Sequence, residues 1–331
     1  MYLLTRSPTT VELGYDHNCV YYFRVNLSFH HAHVRDLAWA MASPSMLGES
    51  PQVVSNSRCQ DVLQNHYDWL LALDQQPESL TAALQKHPSR RLGYYFEHLV
   101  AFWLQQRLAG EFFASHVRVF EQKRVLGEFD FLFTQDDSYV LQHWETAVKF
   151  YLQFMHNDGE ILWYGPNARD RLDIKLDRVF NHQLRLSDSP QGKALLQEKG
   201  FQTVQAQTFF KGYLFYPVTR NWHQPASLPD IIAPDHLKGW WTTASQLQLP
   251  DSEVNDRWRV LPRLEWLAPR TIPHAQQSIL MNTQQLLGFL EQHFTHKQQS
   301  LLLVQMARDP KGLWQEKSRG FVVSADWPGN R

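Results

Sequence analysis

The chain has 331 residues, 43% of them hydrophobic and 20% charged, and a formal net charge of -1. That is globular composition for one large domain or two smaller ones. It excludes a global basic field, so any nucleic-acid partner has to be met by a local patch.

No apolar run approaches the ~18 residues of a membrane span. Cys19 and Cys59 stand far apart in no ligand spacing, so both read as free thiols of a reducing compartment. The start, Met1-Tyr2-Leu3-Leu4-Thr5-Arg6, lacks the apolar stretch of a signal peptide. A cytoplasmic protein with no membrane partner is expected; the oligomeric state is left open.

In chain order, Val20-Tyr21-Tyr22-Phe23-Arg24-Val25 has strand composition, and His30-His31-Ala32-His33 reads as a polar tract rather than a metal site. Residues 33–110 read as helical. Val62, Tyr67, Leu70 and Leu71 recur at helical spacing, as do Leu80, Ala83 and Leu84, with helix starts at Pro77-Glu78-Ser79 and Pro88-Ser89. From Arg90 to Leu108 an amphipathic helix carries Leu92, Phe96, Leu99, Val100 and Trp103 on its apolar arc. Glu97 sits at the flank of that arc, and Gly93, one turn earlier, would allow close approach to a sheet.

Strands are expected at about 117–126, 128–134, 139–154 and 160–164. A helix follows over about 170–186, and a shorter one around Lys193–Lys199 ends at Gly200. Phe209–Tyr216 reads as a strand stopped by Pro217. Beyond 218 the pattern loosens, with a helix near 276–293 and strands at Leu301–Gln305 and Gly320–Val323.

The chemistry concentrates in two strands. Alternation places Phe129, Phe131 and Phe133 on one face of the first, and Glu128 and Asp130 on the other. In the second, His143, Glu145, Ala147 and Lys149 share a face, opposite Trp144, Thr146, Val148 and Phe150. Gln135-Asp136-Asp137-Ser138 joins them as a hairpin connection. Paired, they gather carboxylates and a lysine, which suits a divalent cation beside a phosphate. Asp130 is the first ligand candidate and Glu145 the second; Glu97 is placed to reach the ion directly or through water. Lys149 would orient a water and stabilise negative charge. On the helix after Gly165, Arg171, Lys175, Arg178, His182 and Arg185 fall at steps of four, three, four and three and form one basic stripe for a phosphate backbone. Leu172, Leu176, Val179, Gln183 and Leu186 form its packing face, with Gln183 toward the site.

The order of elements, the Gly127-Glu128-Phe129-Asp130 motif and the strand-terminal Lys149 resemble the PD-(D/E)XK nuclease superfamily over about 90–217. The chain as a whole also resembles a bacterial family of unknown function grouped with it. The resemblance implies an α/β fold, a mixed sheet flanked by helices in a restriction-endonuclease-like core. That core would span 89–217, after a mostly helical region at 1–88 and before an α/β extension at 218–331. With no clear linker near 218, one α/β body in which the extension is fused to the core is an equal alternative. It implies a Mg²⁺ (or Mn²⁺)-dependent hydrolase cutting nucleic acid, DNA in the first instance. Asp130, Glu145, Lys149 and Glu97 would be catalytic; Asp130, Glu145 and Glu97 would hold the metal. Arg171, Lys175, Arg178 and Arg185 would bind the polymer.

One departure stands out. Position 147, where the pattern has its second acid, is alanine. Glu145 and Lys149 are about 13 Å apart along an extended strand, so a bulge near Thr146 is expected to bring them together. Ala147 favours a second reading, a catalytically inactive nuclease-fold module that binds nucleic acid or a protein. A third is a binder of small phosphorylated ligands.

Overall fold

The structure is a computed structural model that describes residues 29–107, 112–135, 140–219, 221–225, 228–251 and 253–329. Cys19, the strand expected at Val20–Val25 and Asp136–Ser138 of the hairpin connection lie outside the described residues.

Among the described residues four helices come first: α1 (Ala32–Ala42), α2 (Asn56–Gln75), α3 (Glu78–Lys86) and α4 (Leu92–Arg107). Ser55 caps α2 by accepting the Arg58 N–H. Strands β1 (Phe113–Glu121), β2 (Arg124–Phe133), β3 (Leu141–Met155) and β4 (Ile161–Tyr164) follow. Next come α5 (Leu172–Arg178), α6 (Pro190–Glu198) and β5 (Val204–Pro217). The remainder contributes β6 (Leu237–Thr243), β7 (Arg257–Val260), β8 (Thr271–Ile272), α7 (Thr283–His296), β9 (Leu301–Arg308) and β10 (Trp314–Val323). A capping box of Asn282 and Gln285 starts α7. No described helix is long and apolar enough to cross a membrane.

The ten strands of the described residues belong to one mixed sheet, in the order β1-β2-β3-β5-β6-β10-β9-β7, with β4 on β3 and β8 on β10. β1, β2 and β3 are antiparallel neighbours; β3, β5, β6 and β10 run parallel; β9 and β7 return antiparallel. A parallel pair needs a crossover, and α5 and α6 supply it between β3 and β5. The sheet continues without a break across residue 218, because β5 pairs directly with β6.

Helices cover both faces. On one, Trp39 of α1 and Phe96 and Trp103 of α4 pack with Phe131, Trp144, Phe209 and Tyr213. Trp144 stacks on Phe209 at 4.8 Å, and Trp39 on Tyr213 at 5.9 Å. On the other, Leu172, Leu176 and Val179 meet Ala147, Tyr151, Phe210 and Leu214. Beyond β10, α7 buries Leu286 and Leu290 against Trp240, Trp258 and Val322.

Five local expectations are corrected. Helix 170–186 is not continuous: α5 passes into a π-helical turn, Val179–Gln183, and then a 3-10 turn, Leu184–Asp188. The wider turn slows the rotation per residue, which swings Gln183 over Lys175. Boundaries move: β1 begins four residues before the expected 117 and ends at Glu121, a turn at Gln122-Lys123 interrupts the strand expected over 117–126, and β2 begins at Arg124. β5 begins five residues before 209, and the helix expected near 276–293 starts at Thr283 after a 3-10 turn, His274–Ile279. Phe129 does not share a face with Phe131 and Phe133: it packs with Leu132 and Leu141, and edge-on to His143 at 4.7 Å. The alternation slips at Asp130, opposite His116, whose φ is +53°. β3 has no bulge near Thr146, since its register with β5 runs unshifted from Leu141 to Leu152. Gly93 does not bring α4 onto the sheet, because a Cβ there would meet open space.

Candidate active site at the open edge of β3

The site originates in a fork. β2 pairs with β3 only at Phe131–Phe133 against Gln142–Trp144, and β4 rejoins β3 only from Leu152. Between these points, one edge of β3 faces a cleft. On the opposite edge, Gly212 sits beside Lys149 with φ +140°, and a Cβ there would fall 1.7 Å from the Lys149 carbonyl oxygen. Only glycine lets β5 lie this close.

Asp130 stands at the point where the strands part. Its Oδ2 accepts the Thr146 backbone N–H at 2.8 Å and the Thr146 hydroxyl at 3.3 Å. The carboxylate thus takes the place of a strand carbonyl. Burial raises the Asp130 carboxyl to about 6 and the Glu145 charge adds to this, while the Thr146 bonds pull the other way.

Glu145 lies behind the fork, only 1% exposed. Its Oε1 is 3.0 Å from His143 Nε2, and its Oε2 accepts from Gln183 Nε2 at 2.5 Å. Lys175 Nζ in turn donates to Gln183 Oε1 at 2.8 Å. Burial lifts Glu145 to about 7, opposed by Lys175, the Asp130 backbone N–H and Gln183. Burial also lowers His143 to about 4, so its imidazole is neutral at physiological pH.

Glu97 reaches the cleft from α4. It is part-buried and takes no hydrogen bond or ion pair from the described residues. Burial pushes it up to about 7, with the Asp130 charge as the next cause. Lys149 Nζ contacts Asp170 Oδ2 at 2.6 Å. Glu97, Thr146, Lys149, Asp170 and Lys175 all line a cleft of about 580 Å³. Its far wall is Arg263 and Trp266, from the stretch beyond 218.

The expected basic stripe divides. Lys175 faces inward, and burial lowers its pKa, with Lys149 as the next cause. Arg171 pairs with Asp173 at 2.5 Å; Arg178 is exposed; Arg185 is exposed and 3.3 Å from Asp188. Glu128 is held by Arg118 and His116. Sequence reading missed Asp170, Arg263 and His116: they come from a loop, a distant turn and a strand irregularity, none of which has a periodic signal.

Among the described residues, no three His, Cys, Asp or Glu side chains are gathered closely enough to hold a metal ion. The chemistry available for a cation is narrower: Glu97, without a protein partner, and Asp130, whose charge raises Glu97's pKa. Mg²⁺ is often held by one or two carboxylates, the rest of its shell being water and substrate phosphate, so this pair suits it.

No curated protein and no solved structure matches the chain. A family profile does, over residues 35–323, which takes in both the cleft and the strands beyond 218. The chain belongs to the family described as Domain of unknown function (DUF1853).

Proposed function

We propose that the cleft hydrolyses phosphodiester bonds of nucleic acid, DNA in the first instance, with Mg²⁺ or Mn²⁺, as the resemblance to PD-(D/E)XK nucleases implies. The observation that carries this reading is Glu97: a part-buried carboxylate with no protein partner, beside Asp130, in a cleft that also holds Lys149 and Lys175. A site built only for stability would pair that charge.

Glu97 and Asp130 would hold the ion, with Glu145 behind them. A bound ion lowers the pKa of a water and screens the scissile phosphate. Lys149, released from Asp170, would meet a phosphate oxygen and stabilise the added charge as water attacks phosphorus and the bond to the leaving sugar oxygen breaks. Lys175 and Gln183 hold Glu145 in place rather than touch the polymer. We place this activity in the cytoplasm, where Cys59, buried and free, stays reduced.

A second reading, the inactive module that binds without cutting, draws on Ala147 and on Glu145, both of whose oxygens are engaged by protein groups. Titration calorimetry with Mn²⁺, paired with cleavage assays on single-stranded, duplex and branched DNA, separates the two. The enzyme reading expects weak Mn²⁺ binding that Asp130→Asn abolishes, and cleavage lost in both Asp130→Asn and Lys149→Ala. A folded wild type that neither binds Mn²⁺ nor cuts establishes the inactive module.

A further inference from the structure

The cleft does not end at the carboxylates. Arg91 and Tyr94, in the first turn of α4 and just before it, line the cleft and also line a second, adjoining hollow of about 480 Å³. That hollow is walled by His87, Arg90 and His98. The two compartments therefore share one ledge. Tyr94 is 46% exposed, and the Arg91 guanidinium sits over its ring at 5.8 Å. Across the cleft, Arg263 sits over Trp266 at 5.4 Å. The cleft lining itself holds Arg91, Lys149, Lys175 and Arg263 against Glu97 and Asp170, four cationic side chains to two carboxylates. The whole chain is close to neutral, so this excess of cations in the lining is local; Arg91 and Arg263 are its members outside the Lys149–Asp170 and Lys175–Gln183–Glu145 contacts.

We infer that the ledge of Arg91 and Tyr94 binds single-stranded polynucleotide, stacking an unpaired base on Tyr94 while Arg91 holds its phosphate, and feeds the strand from the outer hollow to the carboxylates. This rests on the phosphodiesterase reading and names the form of its substrate. With Arg91 over one side of the Tyr94 ring and the residue 46% exposed, the other side is left for a base, and an aromatic ring with a guanidinium is the element by which single strands are held without sequence preference. In a duplex the base faces are hidden in the stack, and Tyr94 would have nothing to stack on. Each hollow is of ordinary small-ligand size, so nucleotides fit it one after another. Arg263 faces the strand from the opposite wall, so the stretch beyond 218 contributes to substrate contact.

The test measures binding of the full chain to fluorescein-labelled oligothymidylate, oligouridylate and a DNA hairpin duplex, in EDTA so that cutting does not interfere. The expected result is single strand over duplex by at least tenfold; the tighter of the two single strands names the sugar. Tyr94→Ala should weaken single-strand binding by roughly 5- to 100-fold, the range for one lost stacking partner. Tyr94→Phe should keep it, because the ring face is kept. Arg91→Gln should lower the salt slope by about 0.7, one phosphate contact on a single strand. Duplex preference, or Tyr94→Ala binding like wild type, overturns the inference while leaving phosphodiester chemistry standing. No binding to any of the three probes in EDTA overturns the inference, whereas the reading beneath it falls only if the Mn²⁺ titration and the cleavage assays also fail.

Discussion

Two groups of charge in this chain, one buried and one part-buried, are built on opposite terms. Beneath the C-terminal strands, Asp36 accepts from Arg270 Nη2, the Ala268 N–H and the Tyr95 hydroxyl. Glu316 accepts from the Arg270 N–H and from Arg319 Nε and Nη2. Arg319 also donates to the carbonyls of Trp266, Leu267 and Ala268, and stacks over Tyr213 at 4.4 Å. At the fork, by contrast, Glu97 has no protein partner among the described residues, and Asp130 has only Thr146. Buried charge that is fully hydrogen-bonded ties elements together. Part-buried charge left open costs stability and is available to something outside the chain.

The largest effect belongs to the closed network. Arg319→Met leaves Glu316 with one backbone donor and takes the Arg319 bonds from the Trp266 and Ala268 carbonyls, while the Leu267 carbonyl keeps the Tyr213 hydroxyl. Removing one partner of a buried pair costs about 3–5 kcal/mol, to be read from the shift in urea midpoint at unchanged m. Glu97→Gln in metal-free buffer should cost nothing. If Arg319→Met unfolds at the wild-type midpoint, the two sites do not differ in the way described.

The next effect is a pH dependence. Glu97 and Glu145 titrate near 7 and Asp130 near 6, above the ordinary carboxylate range near 4. Between about pH 4 and 7 the folded chain therefore keeps protons that the unfolded chain has released. The stability these groups give is full below pH 4 and is lost as pH rises through about 6–7. His143 and His236, lowered to about 4 by burial, act in the reverse sense between about pH 4 and 6.5, so the wild-type curve is a sum. The difference between Glu97→Gln and wild type isolates the carboxylate. It should favour the variant by roughly 1 kcal/mol at pH 8, after allowance for solvent screening, and vanish at pH 4. Saturating Mn²⁺ at pH 8 should reverse it by stabilising only the wild type. A flat difference curve would mean that Glu97 is solvated like any surface glutamate.

What the sequence made legible is whatever has a period. The α4 arc, the long β3 strand and the polar set of Glu145, Ala147 and Lys149 follow from spacings of 3.6 and 2, and the mixed sheet between helices follows from their order. The fork was not legible, because it depends on where a pairing stops: Asp130 takes the Thr146 N–H that a strand carbonyl would otherwise hold. The π-helical turn was hidden too, since Lys175 and Gln183 are eight apart and meet only because one turn is wide. β6 and β7 have no clean alternation: Leu237-Lys238-Gly239-Trp240-Trp241 is shaped by what packs on both faces. Position 147 shows the limit of reading by pattern. An acid there would share the face of Glu145, yet Ala147 packs beside Tyr151 and Leu176, where a carboxylate would have to be desolvated.

The smallest effect separates the two ends of the basic stripe. Arg185 is exposed, and its pair with Asp188 is 3.3 Å long on the surface; such pairs contribute about 0–1 kcal/mol. Arg185→Gln should move the urea midpoint by an amount equivalent to under about 0.5 kcal/mol. It should leave oligothymidylate affinity within twofold, because the 3-10 turn carries Arg185 away from the cleft. Lys175→Gln, ten residues earlier, removes the cation that opposes the rise of Glu145 and the donor that orients Gln183. It should raise the Glu145 pKa, visible in carboxyl carbon NMR as a later titration midpoint, with the Arg185→Gln spectrum unchanged. Were the two variants to weaken oligothymidylate equally, with equal loss of salt slope, the stripe would be one surface after all, and Lys175 would belong with the polymer contacts rather than with Glu145.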